Sequence, residues 1–232
     1  MAETVHGHAG PTPRGGRPSK RAQIETAAKE VFGRVGFADA TMDSIAAEAQ
    51  VSTRTLYQHF TSKNHLFAAV LTASASLVAD DFSRGAEHAL RAADVRSALM
   101  VLGHAFVDQR ASHPQHFAMV NQLRARAVSL TSEQATTWHD AGPYRVQAEV
   151  ASVLDELGQR RWLGVPDVRQ ATLHYIALTT AESTIRPFAA EALTPSQVQP
   201  MVEAGVDAFL RAYGTDGTTI RPGQRRMASG RA

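Results

Sequence analysis

The chain has no cysteine. That excludes a disulfide framework, thiolate metal sites and a cysteine nucleophile, and it suits a reducing compartment. Lysine is nearly absent: Lys20, Lys29 and Lys63, all near the N-terminus, leave arginine to carry almost all the positive charge. No uninterrupted apolar run approaches the ~18 residues of a membrane span, and residues 1–18 lack the apolar centre of a secretion signal. The expectation is a soluble, cytoplasmic protein with no membrane partner. Phosphate loops, dinucleotide fingerprints and nucleophile elbows are missing too, so neither catalytic residues nor cofactors are expected. His113 with His116 lacks an obvious third ligand, and His6 with His8 sits in an arm that reads as flexible, which argues against a metal site. Asp80-Asp81 and Asp155-Glu156 are neighbours that diverge on a helix.

What is present suffices for a folded domain. Hydrophobic residues make up 44% of the chain and charged ones 20%, enough to bury a sizeable core. The formal net charge of +2 is too small to argue for nucleic acid by itself, although the pI is 9.2. The distribution says more. Basic residues cluster in an N-terminal arm (Arg14, Arg17, Lys20, Arg21) and a C-terminal tail (Arg221, Arg225, Arg226, Arg231). Residues 1–18, rich in Gly, Pro and His, read as a disordered basic arm, and residues 214–232 as a disordered tail.

Between these ends the apolar residues recur at helical spacing, and no stretch alternates long enough for a sheet. Ser19 caps a first helix carrying Ile24, Ala27, Ala28, Val31, Phe32 and Val35, with Gly36 as its stop. Thr41 caps a short second helix with Asp43 in its first turn. Gln50-Val51 form a turn, and Ser52 caps a third helix ending near Phe60. Thr61-Ser62 open a long fourth helix. Further helices are expected near 94–111, 114–129, 132–161, 167–186 and 195–213, with Gly142-Pro143 kinking the one over 132–161.

Residues 41–60 are the informative stretch. Two short capped helices joined by a tight turn form a helix-turn-helix, packed through Ala46, Ala49, Val51 and Leu56. The exposed side of the third helix then carries Thr53, Arg54, Thr55, Tyr57 and His59. Arg54 suits guanine O6 and N7, and the threonines offer hydroxyls and a methyl. Tyr57, His59 and Lys63 are placed for phosphates. Backbone N–H groups near Thr41 and Met42 can hold another phosphate.

The order Ile24-x-x-Ala27-Ala28-x-x-x-Phe32, Gly36-Phe37, Thr41-x-x-x-Ile45-Ala46, Val51-Ser52, Thr55-Leu56-Tyr57-x-His59-Phe60 and Ser62-Lys63-x-x-Leu66 resembles the DNA-binding domain of TetR-family regulators over residues ~20–67. The resemblance implies DNA contacts at Thr41, Met42, Ser52, Thr53, Arg54, Thr55, Tyr57, His59 and Lys63. Two positions depart from the family pattern: Gln50 stands where many members have Gly, and Asp43 where some carry a basic base-reading residue.

The resemblance further implies an all-α chain in two parts. A three-helix DNA-binding domain over 19–66 precedes a larger helical domain over 67–213 that dimerises and encloses a ligand pocket. Phe117-x-Met119 and the Trp138 to Tyr144 stretch, with Gly142-Pro143, are similar to the AefR-like subgroup. Candidate pocket residues are Phe106, Met119, Leu123, Trp138, Tyr144, His174 and Tyr175. The last two helices are the expected dimer interface, with Leu173, Ile176, Ala177 and Thr180 on one and Val198, Met201, Val202, Gly205, Phe209 and Leu210 on the other. The implied function is a transcriptional regulator of a palindromic double-stranded operator, most simply a homodimeric repressor released by a small hydrophobic ligand, the alternative being an effector-independent DNA-binding factor or an activator.

Overall fold

A computed structural model describes residues 19–185 and 194–215, and the expected all-α architecture is what it contains. In chain order the helices are α1 (Lys20–Asp39), α2 (Met42–Glu48), α3 (Thr53–His59), α4 (Lys63–Leu90), α5 (Val95–Ser112), α6 (Pro114–Arg124), α7 (Ser132–Ala141), α8 (Pro143–Gln159), α9 (Val168–Ile185) and α10 (Pro195–Tyr213). The described residues include no strand; one isolated bridge pairs Leu163 with Gly214.

The helices start where short polar side chains satisfy orphan backbone donors. Ser19 Oγ accepts from Ala22 N–H, Ser52 Oγ from Thr55 N–H, Ser62 Oγ from His65 N–H and Asp94 from Ser97 N–H. Thr41 with Ser44, and Thr131 with Gln134, form reciprocal capping boxes. Each such cap contributes about 1 kcal/mol.

The apolar stripes of these helices close into two cores. One gathers α1, α2, α3 and the first half of α4 around Phe32, Phe60, Phe67 and Leu71, and takes Met119 and Val120 from α6. Phe67 sits edge-on to both Phe32 (5.1 Å) and Phe37 (5.3 Å). The second gathers the distal half of α4 with α5, α8, α9 and α10 around Phe82, Leu99, Leu154, Tyr175 and Phe209. α4 therefore runs through both. By length and composition it is the one described helix apolar enough to cross a membrane, but just over half of that window is buried inside this fold.

Four details differ from the sequence reading. The helix expected over 132–161 is two, because Gly142 leaves helical geometry (φ −138°, ψ −74°) and Pro143 begins α8. The helix expected over 114–129 stops at Arg124, where Arg126 turns into the left-handed region (φ 55°). Gly36 does not end α1 but kinks it at φ 82°, a conformation that suits only glycine well. Gly214 and Thr215, at the head of the expected disordered tail, are tied back to the α8–α9 turn: Gly164 N–H donates to Tyr213 O and Thr215 Oγ1 to Arg161 O. The arm over 1–18 and the rest of the tail lie outside the described residues.

The expected dimer face of α10 is also corrected. Val198, Met201, Val202, Phe209 and Leu210 are buried in the chain's own core. Gly205 serves the contact between α9 and α10 of one chain, since a Cβ there would lie 2.4 Å from Leu178 O. Of the face expected on α9, Thr180 is buried and Ile176 half-buried, and the apolar residues that its described part leaves exposed are Leu173, Ala177 and Leu178.

Candidate nucleic-acid interface and adjoining cavity

α2 and α3 cross at a turn that Gln50 makes with φ 54°. The backbone requirement usually met by glycine thus persists here, carried by a residue that adopts this region at a cost of about 1–2 kcal/mol. Val51 N–H donates to Ala46 O to close the turn, and Leu56 is fully buried beneath it. This orients α3 so that Arg54, Tyr57 and Gln58 form an exposed ridge, with Thr53, Thr55 and His59 half-buried beside it. Tyr57 is 50% exposed, unusual for an aromatic side chain in a folded domain. Gln58 was not among the expected DNA residues, although its i+4 relation to Arg54 places it on the same stripe.

Several hydroxyls on this face are already engaged. Thr53 Oγ1 donates to Asp43 at 2.8 Å, so the acidic departure in α2 fixes the start of α3. Ser52 Oγ and Thr55 Oγ1 lie 2.8 Å apart. Thr41 N–H donates to Ser44 Oγ, and the Met42 side chain is buried, which leaves the backbone of Met42 as its means of reaching an anion. Lys63 departs most from expectation. Its ammonium donates to the carbonyls of Phe37 (2.7 Å), Ala38 (3.3 Å) and Ala40 (2.8 Å), and lies 4.4 Å from the Phe37 ring centroid. All three of its hydrogens are directed at the chain that leaves α1, so it pins α4 to α1.

A cavity of about 580 Å³ opens among α4, α5, α6, α7 and α8 and reaches α9. Phe106, Leu123 and Trp138 line it as expected. The other four candidates do not. Met119 is fully buried in the N-terminal core, and Tyr144 is 55% exposed on the surface. His174 faces solvent, bonded to Gln170 and Tyr213. Tyr175 is buried, its hydroxyl donating to Leu99 O at 2.6 Å, and burial raises its pKa far above the usual phenol range. Of the aromatic candidates Tyr175 alone is core, the common outcome for an aromatic side chain at helical spacing.

The remaining walls were not anticipated. Ala75 and Val78 of α4, Val107, Gln109 and Arg110 of α5, and His116, Phe117 and Val120 of α6 face the cavity. His116 is buried, its Nδ1 2.8 Å from Ser74 Oγ. Burial, reinforced by the positive fields of His113 and Lys29, holds its pKa down to about 4. His113 turns away to meet Asp81 at 2.5 Å. Among the described residues no group of three His, Asp or Glu could hold a metal ion.

α6 joins the cavity to the helix-turn-helix. Val120, Leu123 and Arg124 face the cavity, whereas Gln122 points at α1. Its Oε1 accepts from Phe37 N–H at 2.7 Å and its Nε2 donates to Phe32 O at 3.0 Å, spanning the kink at Gly36.

Comparisons with known proteins agree with this geometry. Residues 24–70 match the model for bacterial regulatory proteins of the tetR family, and residues 97–215 match the C-terminal domain of AefR-like transcriptional repressors. The HTH-type transcriptional activator FasR of Mycolicibacterium smegmatis is 42% identical over 93 residues, which are 40% of this chain and 41% of that relative's length. Among solved structures, one described as a TetR-family regulator from Mesorhizobium loti superposes with a TM-score of 0.72 at 23% identity, covering 84% of this chain and 97% of the other. The flavonoid-responsive regulator FrrA superposes at 0.62 with 25% identity, covering 85% and 98%. The chain belongs to the TetR family of bacterial transcriptional regulators, with an AefR-like C-terminal domain.

Proposed function

We propose that this regulator is a cytoplasmic homodimer that binds a palindromic operator through α3, and that a small apolar ligand in the cavity weakens that binding and so relieves repression. The observation that carries the reading is the double role of α6: one face borders the cavity and another, through Gln122, holds the kink of α1. A ligand that moves α6 acts directly on the DNA-binding helices, with α4, common to both cores, as a second route.

On DNA, Arg54 reads guanine from the exposed ridge, and Gln58 and Thr55 lie beside it. Tyr57, His59, Ser52, Thr53, Thr41 and the Met42 backbone face phosphates. Lys63 positions the turn instead of contacting the duplex. The DNA-binding unit is residues 19–66, continuing into α4. Two copies are required, since two recognition helices about 34–36 Å apart enter successive major grooves. The exposed Leu173, Ala177 and Leu178 of α9 supply the apolar centre of the dimer interface, with the small Ala204, Ala208 and Ala212 of α10 beside them.

A second reading has one observation in its favour: the FasR relative is named an activator. Activation uses the same DNA face and cavity, with the ligand strengthening operator binding instead of weakening it. The test is a gel-shift titration on genomic fragments, including the region upstream of the gene itself, with and without a pool of hydrophobic small molecules. Selective binding abolished by one member of the pool supports ligand release. Selective binding that the ligand strengthens favours the activator, and the absence of selective binding removes the operator reading altogether.

A further inference from the structure

The cavity is apolar in most of its lining, yet its polar members share one character. Arg110 and Arg124 both line it, and no aspartate or glutamate is among the lining residues. Among the described residues neither arginine forms an ion pair; Arg110 instead places its guanidinium 5.1 Å from the Phe117 ring centroid. Arg110 is half-buried, and both burial and the neighbouring charge of Arg124 hold its pKa below the usual guanidinium range. A half-buried guanidinium such as that of Arg110 normally finds a counter-charge, whereas Arg124 is exposed to solvent.

Two neutral donors among the lining residues, one on α5 and one on α7, are unmatched. Gln109 Nε2 and Trp138 Nε1 are buried and have no hydrogen-bond partner, and Gln109 as a whole is only 7% exposed. Buried donors in native proteins are nearly always satisfied, so two beside one cavity call for an acceptor from outside the chain. The lining therefore carries no negative charge and an excess of N–H donors and positive charge, its side-chain oxygen acceptors being the neutral ones of Gln109, Gln147 and Thr180.

Building on the ligand-cavity reading above, we propose that the effector is an amphipathic anion. Its apolar body lies against Phe106, Val120 and Leu123, and its carboxylate-like head is bound by Arg110, Gln109 and Trp138, with Arg124 at the exposed edge. An anionic oxygen head matches the fork of Arg110, takes the two orphan N–H groups, and offsets the repulsion between the arginines. A neutral apolar molecule of the same size would fill the volume and leave every one of these groups unmatched. A cationic amphiphile would add a third positive charge.

The test uses the full chain and N-phenyl-1-naphthylamine, a neutral apolar fluorophore, as reporter of cavity occupancy. Dodecanoate, 1-dodecanol and dodecylammonium compete for it. Dodecanoate is expected to displace the reporter at a concentration about tenfold or more below that of dodecanol, the scale of a charge-assisted hydrogen bond, with dodecylammonium weakest. R110Q should abolish that preference, so that dodecanoate and dodecanol compete about equally for the reporter. Because it removes an uncompensated charge, R110Q should also keep or raise the melting temperature, which a merely structural role for Arg110 would not allow. Reporter binding with dodecanol competing as well as dodecanoate overturns the anion proposal but leaves the cavity as a ligand site. Reporter that does not bind, or binds equally to a W138A variant, overturns the cavity reading and the anion proposal with it.

Discussion

Gln122 offers the sharpest test of how the two halves of the chain communicate. At Gly36 the backbone of α1 leaves the helical region, so Phe37 N–H lacks the i−4 carbonyl that an uninterrupted helix would provide. The Gln122 amide replaces it at 2.7 Å, and its other end donates to Phe32 O and Ala118 O. Gln122→Met keeps the length of the side chain and removes both functions. A half-buried N–H left without an acceptor, with two modest hydrogen bonds lost, amounts to about 2 kcal/mol. For a chain of this size that corresponds to a fall in Tm of roughly 4–8 °C. Hydrogen exchange should locate the effect: the Phe37 amide loses protection while amides of α10 keep theirs. Gln122→Glu retains the acceptor for Phe37 N–H but turns an anionic oxygen on two carbonyls. Its folded-state pKa is then raised, so it should be weaker than wild type at pH 7 and recover as pH falls and the protonated carboxyl regains a donor. In DNA-binding titrations Gln122→Met should retain operator affinity in the ligand-free protein and lose most of the ligand effect. An unchanged Tm together with unchanged Phe37 protection would mean that Gln122 does not hold the kink of α1.

Two other expectations follow from single contacts. His116 is held neutral by burial, with a folded pKa of about 4 against 6.5 unfolded, so the unfolded chain takes up its proton first; stability is full above pH 6.5 and declines towards pH 4 by up to about 3 kcal/mol. Urea unfolding across that window should show His116→Asn, which retains a donor towards Ser74, flattening the decline; an unaltered slope would assign it to other groups. Lys63→Met should cost about 1.5–3 kcal/mol by leaving the carbonyls of Phe37, Ala38 and Ala40 without their donor. The salt dependence of DNA binding should keep its slope, whereas a slope reduced by about one would make Lys63 a phosphate contact after all.

The parts of the fold legible in the sequence are those fixed by local chemistry. Ser19, Thr41, Ser52 and Ser62 mark helix starts because their side chains satisfy orphan donors within three residues. The helix-turn-helix was readable for the same reason, down to the turn at Gln50, whose φ of 54° is the strain its substitution for glycine implied. Long-range choices were not legible. Tyr175 and Met119 have the same chemistry as cavity-lining residues, but only packing decides that they are core. Periodicity gave α10 an apolar face and could not say whether it met its own chain or another; Gly205 against Leu178 settles that. Lys63 took a role other than the one expected, and Arg110 one that the sequence had not suggested. A lysine beside the recognition helix folds back onto carbonyls, while an arginine in an ordinary-looking helix faces the cavity without a counter-charge. A signal for the latter was present in Gln109-Arg110, a polar pair on an otherwise apolar stripe of α5.

Whether α3 reads DNA in a two-fold dimer is decided by selection from a random double-stranded DNA pool with the purified protein. Wild type should enrich inverted repeats whose half-sites are about one helical turn apart, with affinity falling steeply with salt. Arg54→Ala should relax the preference at one guanine of each half-site, costing about 1–3 kcal/mol there, and leave the other positions intact. Enrichment of no sequence, or of one that Arg54→Ala selects unchanged, would contradict the account.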